Sequence, residues 1–351
     1  MNILDAYNAK AAHVVWKENP NNSIAYLASG TLFPYTYQNV LDMAFAKGNH
    51  GLPVSLKASG YDSKATFRDR IGVSKLESEM PYFKEGFILK ASDIMKIVNA
   101  QNHDDVFLQE ALKGIYRDDI ELINGAYVVP ERMCFQLLAP LDGTPRIIAG
   151  DEKNTYTYNY DPDGSWKANN FVELTGTDKW SDAENSKPYE DIETMLEKAA
   201  DAGNSVSRLI MSNKTLNYLV KNKDIHARIL AQNTTANIYL TKKLVKDFIE
   251  NDLNISILVY KKKFIDETGA TKQFMPDDYV TFIPEVALGE VRFAPTPEEL
   301  VKQADKVQMI DGRIALSVIE GTGNPVSYET IASMTVLPSF EQMDSCYGLK
   351  V

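Results

Sequence analysis

The chain has 351 residues, with 37 Lys and Arg against 48 Asp and Glu, a formal net charge of −11. With 44% hydrophobic and 24% charged residues it has the composition of a globular protein, long enough for about two domains. The acidic balance argues against a general nucleic-acid binder, which relies on neutralising phosphates, and no stretch approaches the roughly 18 apolar residues of a membrane span.

Two further absences narrow the class. The opening Met1-Asn2-Ile3-Leu4-Asp5 lacks the basic and apolar regions of a signal peptide. Cys134 and Cys346 have no zinc spacing and read as free thiols in a reducing compartment.

In chain order, Ala6 to Trp16 is one short amphipathic stretch, followed by the turn-forming Asn19-Pro20-Asn21-Asn22-Ser23. The rest of the first thirty residues reads as an extended arm that needs a partner surface. Thr31 to Tyr35, then Leu41, Met43 and Phe45 on one face, give a strand pattern. Residues 48–63 are poor in large apolar groups and read as a mobile loop, and Ala65 to Ile71 alternates again. Residues 40–75 are thus expected to form a long two-stranded finger. Lys47, Lys57, Lys64, Arg68 and Arg70 stand there against Asp42, Asp62 and Asp69, so the finger is locally basic in an acidic protein. A lone two-stranded ribbon is marginal in water and gains order by lying on an acidic neighbour; a solvated surface hairpin is the plainer alternative.

Leu76 to Gly86 reads as strand and turn, and Ser92 is the expected N-cap of a short helix to Asn99. From Asp104 to Ala139, Leu108, Leu112, Ile115, Leu122, Ala126, Val129 and Met133 recur at helical spacing. A continuous helix there would be about 50 Å long. Gly125 costs about 1 kcal/mol in a helix interior and Pro130 about 3. A kink or break is therefore expected near Val129, with a second segment over Glu131 to Leu138. Two ordinary helices joined at Gly125–Pro130 remain an alternative.

Arg146 to Ala149 and Thr155 to Asp161 read as a hairpin closed by the turn Asp161-Pro162-Asp163-Gly164-Ser165. That string resembles the start of a calcium loop but lacks the downstream glutamate, so a plain turn is expected. Residues 166–300 alternate helices and short strands, the rhythm of a compact α/β domain. Its helices are expected at Tyr189 to Ala202, behind Pro188 and before Gly203; at Asn213 to Lys221, capped by Ser212; and at Thr241 to Glu250. Its strands are expected at Ser207 to Met211, Ile255 to Tyr260 and Tyr279 to Ile283, with a turn at Glu267-Thr268-Gly269. Thr296 and Glu299 form a capping box for a helix to about Ala304. Strands then follow at Lys306 to Ile310, Ile314 to Val318 and Ser333 to Pro338.

Motifs for catalysis are lacking. There is no G-x-x-x-x-G-K-[ST], G-x-S-x-G or H-E-x-x-H. Gly321-Thr322-Gly323-Asn324-Pro325 lacks a third glycine, and its proline spoils a dinucleotide loop. His13, His50, His103 and His226 are scattered without metal-ligand spacing. No catalytic, cofactor-binding or metal residue is expected.

The order of parts carries a resemblance. Leu32-Phe33-Pro34 resembles a strand leading into a finger, and Glu79-Met80-Pro81-Tyr82-Phe83-Lys84-Glu85 its return. Tyr156 to Asp161 with Trp166 looks like the step after a spine helix, and Arg208-Leu209-Ile210-Met211-Ser212 like the opening of an inserted domain. Val259-Tyr260 through Asp266 to Gly269, Phe274-Met275-Pro276, Leu288-Gly289 and Thr296-Pro297-Glu298 look like its strand, turn and exit, and Leu337-Pro338-Ser339-Phe340 like a terminal strand. Together, over about residues 30–340, they resemble the major capsid proteins of tailed phages, the lambda E-type family.

The resemblance implies an α+β, HK97-like capsid fold: an N-terminal arm over 1–39, an E-loop over 40–75, a peripheral domain with a long spine helix over 76–165 and 301–351, and an axial α/β domain over 166–300. It implies a non-enzymatic protein, without cofactors, that self-assembles into hexamers and pentamers of an icosahedral shell around double-stranded DNA, without sequence-specific binding and without a membrane. The expected location is the virion, with assembly in the host cytoplasm. The helical scaffolding segment that precedes the arm in some relatives is not seen here, so a separate scaffolding protein is expected, with a portal; a decoration protein is left open. The residues expected to dock the E-loop on the next subunit are Lys57, Lys64, Arg68 and Arg70. Nothing marks Lys57 or Lys64 as a reactive crosslinking lysine, and no crosslink is expected. The alternatives are an encapsulin-like nanocompartment shell and, from another class, a hydrolase working through paired carboxylates.

Overall fold

The computed structural model describes residues 8–18, 25–46, 75–95, 105–150, 155–232, 240–300, 306–321 and 326–351. In chain order the elements begin with α1 (Ala9–Glu18), β1 (Tyr35–Tyr37), β2 (Asp42–Ala46), β3 (Lys75–Glu79) and β4 (Tyr82–Leu89). A helical turn α2 (91–95) precedes the long α3 (Asp105–Leu138), the hairpin β5 (Arg146–Gly150) and β6 (Thr155–Asn159), then α4 (Ser165–Asn170) and β7 (Phe171–Glu173). Next come α5 (Pro188–Asp201), β8 (Arg208–Met211), α6 (Asn213–Lys221), α7 (Lys223–Gln232), α8 (Lys242–Leu253) and β9 (Ser256–Val259). The chain finishes with β10 (Lys263–Ile265), β11 (Thr271–Gln273), β12 (Tyr279–Ile283), β13 (Val291–Ala294), α9 (Pro297–Leu300), β14 (Val307–Ile310), β15 (Ile314–Glu320), β16 (Tyr328–Pro338) and β17 (Tyr347–Lys350).

Two compact units result: Met1–Met43 with Ser78–Met133 and Glu290–Ser339, and Ala44–Glu77 with Cys134–Gly289 and Phe340–Val351. In the first, the sheet runs β1-β13-β16-β15-β14, and β4 pairs with β16 as well. β16 pairs with β4 over Tyr328 to Thr335, with β15 over Tyr328 to Ser333, and with β13 over Thr335 to Pro338. A strand has two edges, so β15 and β13 lie end to end along one edge and β4 takes the other. That arrangement is why β16 must be long. The turn between β14 and β15 uses Asp311 and Gly312, both at positive φ (50° and 68°), the pattern of a type I′ hairpin.

In the second unit the sheet order is β7-β17-β12-β8-β9. Its central strand β12 is buried at every position. Leu209, Met211, Ile257, Val280, Phe282 and Leu349 meet Ile192 and Met195 of α5, Leu216 and Leu219 of α6, Ile225 and Ile229 of α7, and Val245 and Ile249 of α8. Burying each such side chain contributes about 1.5–3 kcal/mol, so this core fixes the helices over one face of the sheet. α5 ends as expected from sequence: Gly203 takes φ +81° and the Gly203 and Asn204 amides donate to the Ala200 and Ala199 carbonyls, a Schellman cap. Ser212 Oγ accepts from the Thr215 amide at 3.2 Å, and Thr241 Oγ1 from the Leu244 amide at 3.3 Å.

Three local expectations are corrected. α3 is one unbroken helix through Gly125 and Pro130. The missing Pro130 donor and the ring cost about 3 kcal/mol, but Leu122, Ile123, Glu131, Met133, Cys134, Phe135, Leu137 and Leu138 are all buried on either side of it. Packing outweighs propensity. Residues 30–32 form a turn instead of a strand, and only an isolated bridge links Ser29 to Phe33. Gly30 takes φ +86° there. Ser92 lies inside α2 and is not its cap: the helix opens at 91, with the Ile94 amide donating to the Lys90 carbonyl at 3.0 Å. The second strand expected over Ala65 to Ile71 lies outside the described residues.

Candidate functional site

Lys57, Lys64, Arg68 and Arg70 also lie outside the described residues. What is described is the root of their segment. β2 pairs with β3. The Met80 amide donates to the Leu41 carbonyl at 3.0 Å, and Gln38 Nε2 donates to the Val40 and Asp42 carbonyls at 2.8 and 3.2 Å. Met43 and Met80 are buried beneath this junction.

The turn at residues 27–29 is fastened to α3 by a buried carboxylate that sequence reading did not single out. Glu131 is fully buried, and its oxygens accept three successive backbone amides: Leu27 at 3.2 Å, Ala28 at 3.2 Å and Ser29 at 2.6 Å. These donors have no strand ladder to join, so a carboxylate replaces it. Burial, with the charge of Glu131, pushes the neighbouring Tyr26 phenol well above its usual range. Further along, Trp16 stacks on Tyr127 at 5.9 Å and donates Nε1–H to Asn124 Oδ1 at 3.2 Å. Tyr127 donates in turn to Asp311 in the β14–β15 turn at 2.6 Å. α1, α3 and that turn are thus held in one network.

A second carboxylate holds the return strand. Glu298 in α9 accepts from Tyr82 Oη at 2.6 Å and Lys84 Nζ at 3.0 Å on β4, and from Ser333 Oγ at 2.9 Å on β16. Thr296 Oγ1 caps α9 by accepting the Glu299 amide at 3.3 Å, and Tyr37 on β1 donates to Glu299 at 2.9 Å. Burial alone would raise the Glu298 carboxyl, but the donors from Tyr82, Lys84 and Ser333 outweigh it and bring it from 4.5 to about 2. A depressed folded-state carboxyl stabilises the fold above its unfolded value and is lost as pH falls through the folded one. Thermal melts of the wild type should therefore decline as pH drops from 4.5 toward about 2. Glu298→Gln should flatten part of that decline; an identical pH profile in the variant would contradict this role. At the alkaline end, burial and the Glu299 contact raise Tyr37 from 10.0 to about 12, so its contribution is present below pH 10.0 and fades toward 12.

In the second unit the polar groups serve the C-terminal strand. Trp166 Nε1 donates to the Met343 and Cys346 carbonyls at 2.9 and 3.1 Å, and Asn170 Nδ2 to the Asp344 and Cys346 carbonyls at 2.8 and 2.9 Å. Asp161 caps α4, accepting the Trp166 and Lys167 amides at 2.9 and 3.0 Å. The Asp161 to Ser165 string is therefore a helix cap. Both cysteines are buried, and burial raises the Cys346 thiol far above its usual range, so it is a packing residue. Among the described residues no group of three His, Cys, Asp or Glu could hold a metal, and no helix is long and apolar enough to cross a membrane.

The architecture has known counterparts. A protein assigned as a prophage capsid protein from Escherichia coli CFT073 is similar at a TM-score of 0.60 and 15% identity, over 98% of this chain and 99% of that one. A phage-related protein from Bordetella bronchiseptica RB50 is similar at a TM-score of 0.52 and 14% identity, over 98% and 97%. Such likeness shows a shared HK97-like fold. No curated protein matches the sequence. The family described as phage major capsid protein E matches residues 30–351. The chain belongs to that family and is a shell-forming capsid protein, a component of the phage virion.

Proposed function

We propose that this protein assembles as hexamers and pentamers into an icosahedral shell that encloses double-stranded DNA, and that it has no catalytic role. The observation that carries the reading is the family match across residues 30–351, which takes in every described element from β1 to β17. A net charge of −11 suits a container for DNA, because an acidic wall releases few counterions and lets the polymer slide. Residues 1–39 serve as the arm, 40–75 as the E-loop, 76–165 with 301–351 as the peripheral domain, and 166–300 as the axial domain. A scaffolding protein and a portal are the partners this assembly uses in the host cytoplasm.

Within it, Lys57, Lys64, Arg68 and Arg70 dock the E-loop on the acidic body of the next subunit. Each exposed pair contributes only about 0–1 kcal/mol, so charge sets orientation and rate while buried area sets stability. Arg68→Glu with Arg70→Glu should leave the subunit folded by circular dichroism but reduce the yield of shells. Wild-type yield from the double variant would remove the docking role. Averaged images of wild-type shells should show five-fold vertices and six-fold faces; helical tubes as the sole product would contradict the icosahedral reading.

A further inference from the structure

The hairpin β10–β11 pairs with no third strand among the described residues. One of its faces is packed: Phe264 lies 4.8 Å from Phe274, which in turn lies 6.1 Å from Tyr260 and 6.2 Å from Phe135. Its tip is rigid. Asp266 accepts from the Thr268 amide at 3.0 Å, Thr268 Oγ1 at 2.6 Å, the Ala270 amide at 2.9 Å and Lys272 Nζ at 2.6 Å. Gly269 at φ +82° lets the turn close around these bonds. An exposed loop pinned this firmly is pre-organised for contact, since little further ordering is needed on binding.

The other face is mostly open: Lys263, Ile265 and Thr271 are exposed, while Gln273 is half-buried and donates to Asp277 at 3.0 Å. Register pairs Lys263 with Gln273 and Ile265 with Thr271, which places these residues on the side opposite Phe264. Ile265 is 70% exposed on the same face as Lys263, so the hairpin offers an apolar group beside a cation. Lys261, Lys262 and Lys263 run up to Ile265 with no acid among them, a basic spot on a chain of net charge −11. Lys261 and Lys263 are exposed, and neither has an ion-pair partner among the described residues.

A complementary surface exists on the same unit. Helix α5 carries Glu193, Glu197 and Asp201 four residues apart, all exposed and none in an ion pair among the described residues. Like charges at that spacing disfavour a helix unless a cation lies beside them.

We propose that the β10–β11 hairpin of one copy docks on the acidic face of α5 in a second copy, with Ile265 as the apolar anchor and Lys261 and Lys263 reaching Glu193 and Glu197. Hairpin and helix face are different patches of one chain, so the contact is heterologous, the kind that closes subunits into rings. The inference rests on the shell-forming reading and names a contact within it.

The test uses the full chain and four forms: wild type, Ile265→Asp, Lys261→Glu with Lys263→Glu, and that pair combined with Glu193→Lys and Glu197→Lys. Sedimentation velocity with negative-stain imaging gives the fraction in capsomers or shells, and thermal melts check folding. Ile265→Asp and the lysine pair should lower the assembled fraction about tenfold with unchanged melts. Reversing the α5 charges as well should restore it to within about threefold of wild type. Wild-type assembly by Ile265→Asp, or no recovery in the charge-swapped form, overturns the contact while leaving the shell reading intact. A wild type that never assembles overturns the shell reading, and the contact with it.

Discussion

Glu131→Ala is expected to destabilise the first unit by about 3–5 kcal/mol, because it leaves three buried or half-buried amides without an acceptor. Each hydrogen bond to a charged group contributes about 1.5–3 kcal/mol, and an orphaned buried donor costs a similar amount. Glu131→Gln keeps an acceptor oxygen of nearly the same shape and should lose about half as much. The measurement is the urea midpoint followed by tryptophan fluorescence, since Trp16 lies on the same helix network through Asn124 and Tyr127. Released from its carboxylate, the turn at residues 27–29 would no longer hold Leu32 and Phe33, both buried, in place. A change below about 0.5 kcal/mol in the alanine variant would mean that water replaces the carboxylate at no cost.

The second large effect is expected in the other unit, at the close approach of Gly348 to Tyr279. A β-carbon at Gly348 would overlap the Tyr279 hydroxyl and lie 2.9 Å from Tyr279 Cζ. β17 is paired on both sides, with β7 and β12, and Tyr279 is fully buried, so the overlap cannot be relieved by moving out to solvent. Gly348→Ala should cost about 3 kcal/mol, at the upper end for overpacking a core. The Tyr279 hydroxyl itself has no hydrogen-bond partner among the described residues, although it is buried. Tyr279→Phe should therefore be neutral or stabilise by about 1 kcal/mol, and it should relieve part of the Gly348→Ala cost. A double-mutant cycle on melting midpoints reads this directly, with a coupling of about 1 kcal/mol or more expected. Additive effects would place the strain elsewhere.

These two sites show what sequence could and could not reveal. Helix α3 was visible because its apolar residues repeat at helical spacing. Its passage through Pro130 was not, because the compensation comes from burial that only the folded chain supplies. Glu131 on a helix looks like any exposed acid until the turn at 27–29 is brought beside it from about a hundred residues away. β17 escaped detection because Tyr347-Gly348-Leu349-Lys350 is short, holds a glycine, and becomes a strand only by pairing with β7 and β12. β13 is similar: four residues made into a strand by β1 and β16. Other misses had local signals. Asn222 caps α7 through its side chain, accepting the Ile225 amide at 3.1 Å, and an Asn before an acidic first turn is a readable helix start. Asp311-Gly312 is a standard hairpin dipeptide between two apolar runs. Pro188 at a helix start and the caps Ser212 and Thr296 were legible because their chemistry is local, and so was the alternation of helix and strand across the second unit; Thr241, read as the first helical residue, is instead a cap.

The basic finger was legible as composition only. In the docking proposed above, Lys57, Lys64, Arg68 and Arg70 act on a neighbouring copy, which the sequence of one chain does not display. The same holds for Ile265 and the acidic stripe on α5, where exposure and charge are visible in one copy and their use requires two.

The most direct test of the central claim is the mass of the purified protein in solution by multi-angle light scattering, with negative-stain images of the same fractions. Pentamers, hexamers or closed shells are the predicted result. A monomer or dimer under every condition, including with added crowder, would contradict a shell-forming protein.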